Sequence, residues 1–298
     1  MKKFPKRWVF SALCLLFVHS SFANDKAIYG RDDRFDYFQM QDAKMLKYSN
    51  TVAAQIYDSN LDQVGEKFIY NYPRYGEVGF PHRVCETEKF VRQQTGANCT
   101  GFLIAPDVMV TAGHCISHDS DCQDFQWAFD YKYTTASISK KIEFTSKQLV
   151  RCSKIIDRVL AGSETGLDYA VIKLERKMTD REILKVRTSG KVDDKDKMTV
   201  IGFPSGLPMK FTLNGNIRDN SQVEQFIVDN DAFRGNSGSP VINSTTGMVE
   251  GILVRGENDY SLNPRRGCLE VNRVSQDKGR GEDVIRITEI PDLKKLIK

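Results

Sequence analysis

The chain has 298 residues, of which 40% are hydrophobic and 10% aromatic, so it can bury a globular core and is not mainly disordered or fibrous. Its 43 Lys and Arg exceed its 39 Asp and Glu, and the four basic residues among the first 23 account for that excess. The remainder is balanced in charge, which argues against a nucleic-acid-binding protein or a polybasic membrane-surface protein.

The first 23 residues have the three parts of a secretory signal peptide. A basic stretch, Lys2 to Arg7, precedes a mostly apolar run from Trp8 to Val18, and Ser21-Phe22-Ala23 supplies small residues for cleavage before Asn24. The apolar run is too short for a bilayer span, which needs about 20 residues. We therefore expect residues 1–23 to be removed, leaving an exported chain, secreted or periplasmic, that keeps no membrane anchor.

Six cysteines follow this leader, and an even number in an oxidising compartment predicts three disulfides. They are Cys85, Cys99, Cys115, Cys122, Cys152 and Cys268. Composition alone does not choose among the pairings.

Short β-rich runs, each with a turn-forming residue nearby, recur along the chain and predict an all-β sandwich or barrel. The predicted strands are Thr51–Tyr57, Thr100–Ile104, Met109–Thr111, Tyr169–Leu174, Met198–Ile201, Gln225–Val228, Pro240–Ile242 and Val249–Val254. Helical periodicity is sparse. Pro291–Lys298 predicts a short terminal helix, and Cys85–Gln94 is a weaker helical candidate. The charged stretch from Lys185 to Lys197 predicts a solvated crossover between two halves.

Three segments place a reactive polar residue beside a β-run. They are Thr111-Ala-Gly-His-Cys115, Asp168-Tyr-Ala-Val-Ile-Lys-Leu174 and Gly235-Asn-Ser-Gly-Ser-Pro240. Acyl transfer by a serine needs a base to take its proton and a carboxylate to hold that base in the right tautomer. The order His, Asp, Ser therefore predicts a nucleophilic hydrolase.

These segments resemble the histidine motif, aspartate strand and nucleophile loop of the trypsin-like serine peptidases. The bacterial glutamyl-endopeptidase-like branch is the most similar, since Tyr29–Arg34 resembles its mature amino terminus and Val200–Pro204 a shared strand. The resemblance runs from about residue 28 to the end and is weakest across 58–94, an apparent insertion. It implies two antiparallel six-stranded β-barrels within one domain, residues 24–298, the first at about 47–185 and the second at about 186–288.

The resemblance also implies roles for individual residues. His114, Asp168 and Ser237 would form the catalytic triad, and the backbone N–H groups of Gly235 and Ser237 the oxyanion hole. It implies a Cys99–Cys115 disulfide. Of the pairings then left, we prefer Cys122–Cys152, which closes a local loop, and Cys85–Cys268, which ties the insertion to the second barrel. No cofactor and no metal site are expected.

The specificity positions depart from the branch. Glutamate-cleaving members carry a threonine and a histidine where this chain has Ala232 and Leu253. Asp231 stands where trypsin has the aspartate that selects Lys and Arg. A pocket-floor role for Asp231 and a structural carboxylate bonded to backbone are equally open, and Arg255 would lie on the pocket rim.

We therefore expect a secreted serine endopeptidase that acts on proteins or peptides through an acyl-enzyme. Two alternatives remain: a catalytically silent binding protein on the same scaffold, and a peptidase that processes a single partner.

Overall fold

A computed structural model describes residues 27–79, 81–138, 141–160 and 166–297. The predicted signal peptide lies outside the described residues. Within these ranges, no helix has the length and apolar character needed to cross a membrane.

The described chain begins with two short strands and a helix: β1 (Ile28–Tyr29), β2 (Phe35–Asp36) and α1 (Ala43–Ser49). Asp42 caps the helix, because its side chain accepts hydrogen bonds from the backbone N–H groups of Lys44 and Met45. The two strands join the second half of the molecule, and the helix leads into the first half.

The first half is a curled antiparallel sheet. Its elements are β3 (Val52–Tyr57), β4 (Leu61–Val64), β5 (Lys67–Tyr70), β6 (Cys99–Ala105), β7 (Val108–Thr111), α2 (Asp121–Asp124), β8 (Phe125–Phe129), β9 (Glu143–Thr145), β10 (Leu149–Val150), β11 (Cys152–Leu160) and β12 (Asp168–Leu174). Seven strands pair in the order β10-β8-β3-β6-β7-β12-β11, and β4, β5 and β9 form a separate three-stranded sheet. The β4–β5 hairpin lies in the insertion.

The second half is a closed barrel. Its elements are β13 (Lys197–Gly202), β14 (Lys210–Asp219), β15 (Gln225–Val228), β16 (Pro240–Asn243), β17 (Val249–Arg255), β18 (Tyr260–Asn263), β19 (Cys268–Val271), β20 (Arg273–Val274), β21 (Glu282–Arg286) and α3 (Leu293–Leu296). The order β13-β16-β17-β21-β15-β14 returns to β13, so six strands close a ring. β2 adds to β14, β1 pairs in parallel with β20, and β18 and β19 form a hairpin.

One apolar cluster joins the two halves. It contains Phe102 and Val110 from the first sheet together with Ile201, Phe211 and Ile252 from the barrel, all at most 1% exposed. Burial of side chains this large stabilises by about 1.5–3 kcal/mol each, which holds the two halves in a fixed relation.

The expected fold class is confirmed, with a closed six-stranded barrel, a curled sheet in place of a fully closed first barrel, and few helices. The short terminal helix is present as α3, whereas residues 85–94 form turns instead of a helix.

Three disulfides join Cys85 to Cys268, Cys99 to Cys115 and Cys122 to Cys152. These are the pairs preferred from the sequence. Cys85–Cys268 connects the insertion to β19, at a sequence separation of 183. The other two lie within the first half.

Candidate active site

His114 and Asp168 meet because two neighbouring strands end together. β7 and β12 are antiparallel with Thr111 opposite Ala170, so the residues just after β7 lie beside the start of β12. The Asp168 carboxylate receives two hydrogen bonds from His114: Nδ1 lies 2.7 Å from Oδ2, and the backbone N–H donates to Oδ1 over 2.9 Å. Because a carboxylate only accepts, Nδ1 carries the proton and Nε2 is left as the acceptor.

The turn that carries His114 requires glycine at Gly113. A Cβ there would clash with the carbonyl oxygen of Val159 and lie 2.9 Å from that of Tyr169. Arg158 on β11 donates from Nε to the Gly113 carbonyl over 2.8 Å. The backbone at Gly113 therefore packs closely against β11 and β12, and this packing fixes the direction in which the His114 side chain leaves the backbone.

The Asp168 carboxylate is 2% exposed. Burial alone would raise its pKa, but the hydrogen bonds and charge of His114 outweigh burial and hold the pKa of Asp168 below its ordinary value. The carboxylate is therefore ionised at neutral pH.

Ser237 lies in a tight loop held against the first sheet. Its carbonyl accepts a hydrogen bond from the Thr100 N–H over 2.8 Å, and its hydroxyl lies 3.5 Å from the Val254 carbonyl oxygen. Gly238 has φ +87°, and a Cβ there would clash with the Thr100 carbonyl. The sulfur of Cys115, next to His114, lies 3.6 Å from the Ser237 carbonyl oxygen, so the Ser237 loop packs against the segment that carries His114.

The backbone before Ser237 is held in a defined orientation. The Arg234 carbonyl accepts from the Ser205 N–H over 2.5 Å, and Gly235, at φ +91°, has its carbonyl bonded to the Thr100 hydroxyl over 2.7 Å. A trans peptide sets its C=O and N–H on opposite sides, so the Gly235 N–H points away from Ser205. In contrast, the buried Ser239 hydroxyl donates to the Asn236 side chain over 3.4 Å.

Asp231 faces the N-terminal segment. Its two carboxylate oxygens accept hydrogen bonds from the backbone N–H groups of Tyr29 (2.7 Å) and Asp33 (3.0 Å). These contacts match the alternative in which Asp231 is a structural carboxylate bonded to backbone. Burial, reinforced by the charge of Asp33, raises the pKa of Asp231 to about 8. The side chains of Ala232 and Leu253 are fully buried in the core of the barrel.

The sulfurs of Cys99 and Cys115 and the His114 ring lie within 4.8 Å of one another. The sulfurs are bonded to each other, whereas zinc is bound by free thiolates, so this cluster is not a metal centre.

A model of the trypsin-like peptidase domain matches residues 99–252, more than half of the chain. The chain belongs to the trypsin-like peptidase family. The matched range runs from the start of β6 into β17 and includes His114, Asp168 and Ser237.

Similar proteins include a probable serine protease of Lysobacter enzymogenes, 27% identical over 266 residues covering 76% of this chain and 40% of that protein. The chain thus spans less than half of that relative. A Glu endopeptidase solved in complex with MPD is similar over 91% of this chain and 97% of its own, at 15% identity and a TM-score of 0.47. A serine endoprotease from Yersinia pestis is similar over 88% and 67%, with the same identity and TM-score.

The sequence analysis missed a buried acidic group beside the end of β17. Glu282, fully buried at the start of β21, lies so close to Gly256 that a Cβ on that glycine would clash with its carboxylate. The Tyr29 hydroxyl donates to Glu282 over 3.0 Å. Arg255 is held by Asp283 at 3.3 Å and by the Gly166 carbonyl at 2.6 Å. The acidic pair Glu282-Asp283 before an apolar Val-Ile run was the available signal.

Proposed function

We propose that this protein is a serine endopeptidase that hydrolyses peptide bonds through an acyl-enzyme. Ser237 is the nucleophile, His114 the general base and then acid, and Asp168 the group that orients His114. The backbone N–H groups of Gly235 and Ser237 bind the oxyanion, and the Gly235 N–H orientation described above supports this assignment.

The reaction proceeds in two halves. The Ser237 Oγ bonds to the carbonyl carbon as His114 Nε2 takes the hydroxyl proton, and the C–N bond breaks as that proton passes to the leaving amine. Water then bonds to the ester carbonyl carbon as His114 accepts its proton, and the C–Oγ bond breaks as that proton passes to the Ser237 Oγ. The ionised Asp168 stabilises the imidazolium in both halves.

The observation that carries the proposal is the double hydrogen bond between His114 and Asp168. One contact from Nδ1 and one from the backbone fix both the tautomer and the orientation of the ring. If Asp168 were an ordinary carboxylate at the edge of a strand, neither hydrogen bond would be expected. A silent binding protein on this scaffold would have no use for a buried, ionised carboxylate beneath an imidazole.

We also propose that residues 1–23 are a signal peptide and that residues 24–298 form one peptidase domain, with barrels at about 47–185 and 186–288. Three disulfides support an oxidising compartment, extracellular or periplasmic. Substrates are proteins or peptides.

Labelling with a fluorophosphonate tests the nucleophile. The wild-type protein should be labelled at one site, and Ser237→Ala should lose labelling and nearly all peptide hydrolysis while keeping its melting temperature. Ser239→Ala is the matched control, because its hydroxyl is buried against Asn236 and should not react. Labelling that persists in Ser237→Ala, or none in the wild-type protein, would refute the proposal.

We further propose that glutamate is not the preferred residue on the acyl side of the cut, and that basic or apolar residues precede it. Ala232 and Leu253 offer no donor to a substrate carboxylate, and Glu282 is a buried carboxyl group beside Gly256, just after β17. Burying the carboxylate of a substrate glutamate there without hydrogen-bond donors would cost several kcal/mol of binding free energy.

Cleavage of a peptide library read by mass spectrometry tests this preference. Dominant cutting after glutamate would contradict it. In Asp231→Ser the profile should stay unchanged, because the Asp231 carboxylate holds the N-terminal segment.

A further inference from the structure

A cavity of about 530 Å³ opens beside the proposed oxyanion loop. Arg234 and Gly235 form one edge, and Asn98 forms another. Its walls are the side chains of Tyr72, Tyr75, Val78, Val84, Tyr260 and Leu269, which we call the tyrosine pocket.

The tyrosine pocket lies beside Gly235, two residues before Ser237, and no residue of β17 lines it. The Val254 carbonyl of β17 approaches the Ser237 hydroxyl, so if the acyl part of a substrate runs along β17, the pocket is left for the residues after the scissile bond. Asn98 precedes Cys99, whose disulfide partner follows His114, the residue that protonates the leaving amine. A peptide bound across Ser237 would therefore direct the chain after the scissile bond toward this cavity.

The aromatic and aliphatic walls lie beside polar groups, since Arg234, Asp259 and Ser205 also line the cavity, and the Asp259 carboxylate accepts from the Arg234 N–H over 3.0 Å. The hydroxyls of Tyr75 and Tyr260 lie 2.6 Å apart, and that of Tyr260 also bonds Ser205. Burial raises the pKa of both phenols, so both rings are neutral. The rings, with Val84 and Leu269, offer the aromatic and aliphatic surface that binds a large apolar side chain.

The floor is open because two glycines meet there. The Gly96 N–H donates to the Gly206 carbonyl over 2.9 Å, and a Cβ on Gly96 would lie 2.5 Å from the Tyr72 ring. Any side chain at Gly96 would displace that ring and fill the space.

The walls come from the part of the chain that is least like the family. Tyr72, Tyr75, Val78 and Val84 belong to the insertion, and the hairpin of β18 and β19 supplies the rest. The Cys85 N–H donates to the Leu269 carbonyl over 2.9 Å, and the Cys85–Cys268 disulfide locks this junction. The pocket is thus a preformed feature of this chain.

We propose that the tyrosine pocket binds a large apolar side chain, aromatic or long aliphatic, at the first or second residue after the scissile bond. The inference rests on the proposed peptidase activity and concerns the leaving-group side alone. It makes this peptidase selective on both sides of the cut.

Library cleavage by the wild-type protein tests the preference, and Val78→Trp tests its origin. Val78 is half-buried on the pocket wall, so an indole there fills the cavity, whereas Val64→Trp, on an exposed strand of the same insertion, is the matched control. We expect the wild-type protein and Val64→Trp to favour Phe, Tyr, Trp, Leu or Met over Ala after the cut by about 10-fold or more, the discrimination typical of hydrophobic pockets. Val78→Trp should lose this preference and keep its acyl-side profile.

A second measurement does not depend on how well Val78→Trp folds. With a fixed ester as acyl donor, leucinamide and phenylalaninamide should capture the wild-type acyl-enzyme about 10-fold better than glycinamide if the first residue fills the pocket, and glycyl-leucinamide and glycyl-phenylalaninamide about 10-fold better than glycylglycinamide if the second residue does. In that step the amine nitrogen bonds to the acyl carbon, the Ser237 ester breaks, and the amine proton returns through His114 to Oγ.

The outcomes separate the two proposals. Cleavage with no preference after the cut, equal capture of the amides, or a preference that persists in a folded Val78→Trp overturns the pocket assignment and leaves the peptidase intact. Absence of both cleavage and fluorophosphonate labelling overturns the activity and the pocket assignment together.

Discussion

Replacing Asp231 by Asn should change how stability depends on pH. In the folded protein this carboxyl group lies beneath the N-terminal segment beside Asp33, and its pKa is raised to about 8, first by burial and then by the charge of Asp33. In the unfolded chain its pKa returns to about 3.9. Folding at neutral pH therefore takes up a proton at this site, and the asparagine variant removes that uptake.

The sign follows from the direction of the shift. A group whose pKa is raised on folding contributes stability that is complete below its unfolded pKa and is lost as pH rises through its folded pKa, here about 8. One proton taken up corresponds to at most about 1.4 kcal/mol per pH unit. From about pH 5.5 to about pH 7.5, the wild-type protein should lose about 2 kcal/mol relative to Asp231→Asn, the exposed Asp33 charge being partly screened.

Urea unfolding of the disulfide-intact proteins across this range measures the difference. Asparagine has only one acceptor oxygen, so the substitution also removes one of the two hydrogen bonds from the N-terminal segment and lowers stability at every pH. The slopes are therefore compared instead of the absolute free energies. Asp33→Asn should flatten the wild-type slope only in part, because burial of Asp231 remains. Parallel curves for the wild-type protein and Asp231→Asn would refute the reasoning.

Three further changes test the site and its supports. Asp168→Asn should lower kcat by about 10⁴-fold with little change in melting temperature, since the amide favours the wrong His tautomer; turnover with active-site titration measures it. Gly238→Ala should destabilise by about 2–5 kcal/mol, because strain at φ +87° adds to a main-chain clash, whereas Gly190→Ala, at φ +72° with open space, should cost about 1 kcal/mol; thermal unfolding compares them. Replacing Cys85 and Cys268 together by Ser should lower unfolding free energy by up to about 5 kcal/mol, the value for closing a loop this long.

Each of these predictions has a distinct failing result. Normal turnover in Asp168→Asn would remove the carboxylate from the mechanism. Equal melting temperatures for the two glycine variants would mean that the Ser237 loop relaxes freely. An unchanged denaturant midpoint in the double serine variant would show that packing alone joins the insertion to the barrel.

Strands with regular apolar content could be predicted from the sequence to within about two residues at each end. Gln225–Val228 was predicted as it stands, and Tyr169–Leu174 differs from β12 by one residue. In contrast, β14 was missed because Asn214, at φ +58°, and Gly215 place a turn signal inside the strand. β21 was missed because it begins with two carboxylates that only tertiary contacts make tolerable.

Site residues that lie in a local motif could also be predicted, because the glycines next to a serine in the sequence indicate the tight loop that a nucleophile needs. The surroundings of Asp231 could not, because its partner Tyr29 lies 202 residues away. The tyrosine pocket is a similar case. Its walls come from two segments that a disulfide across 183 residues brings together, and neither segment has a motif of its own.

The pairing of β1 with β20 has a consequence for the order of events during synthesis. Ile28 pairs with Arg273, so β1 can form its hydrogen bonds only after β20 has been synthesised. Because synthesis runs from the amino-terminal end, β1 stays unpaired in the nascent chain until β20 has been made. Long-range closure of this kind slows folding. The β1–β20 pair should therefore form late in folding, and the unpaired β1 should depend on chaperones until then.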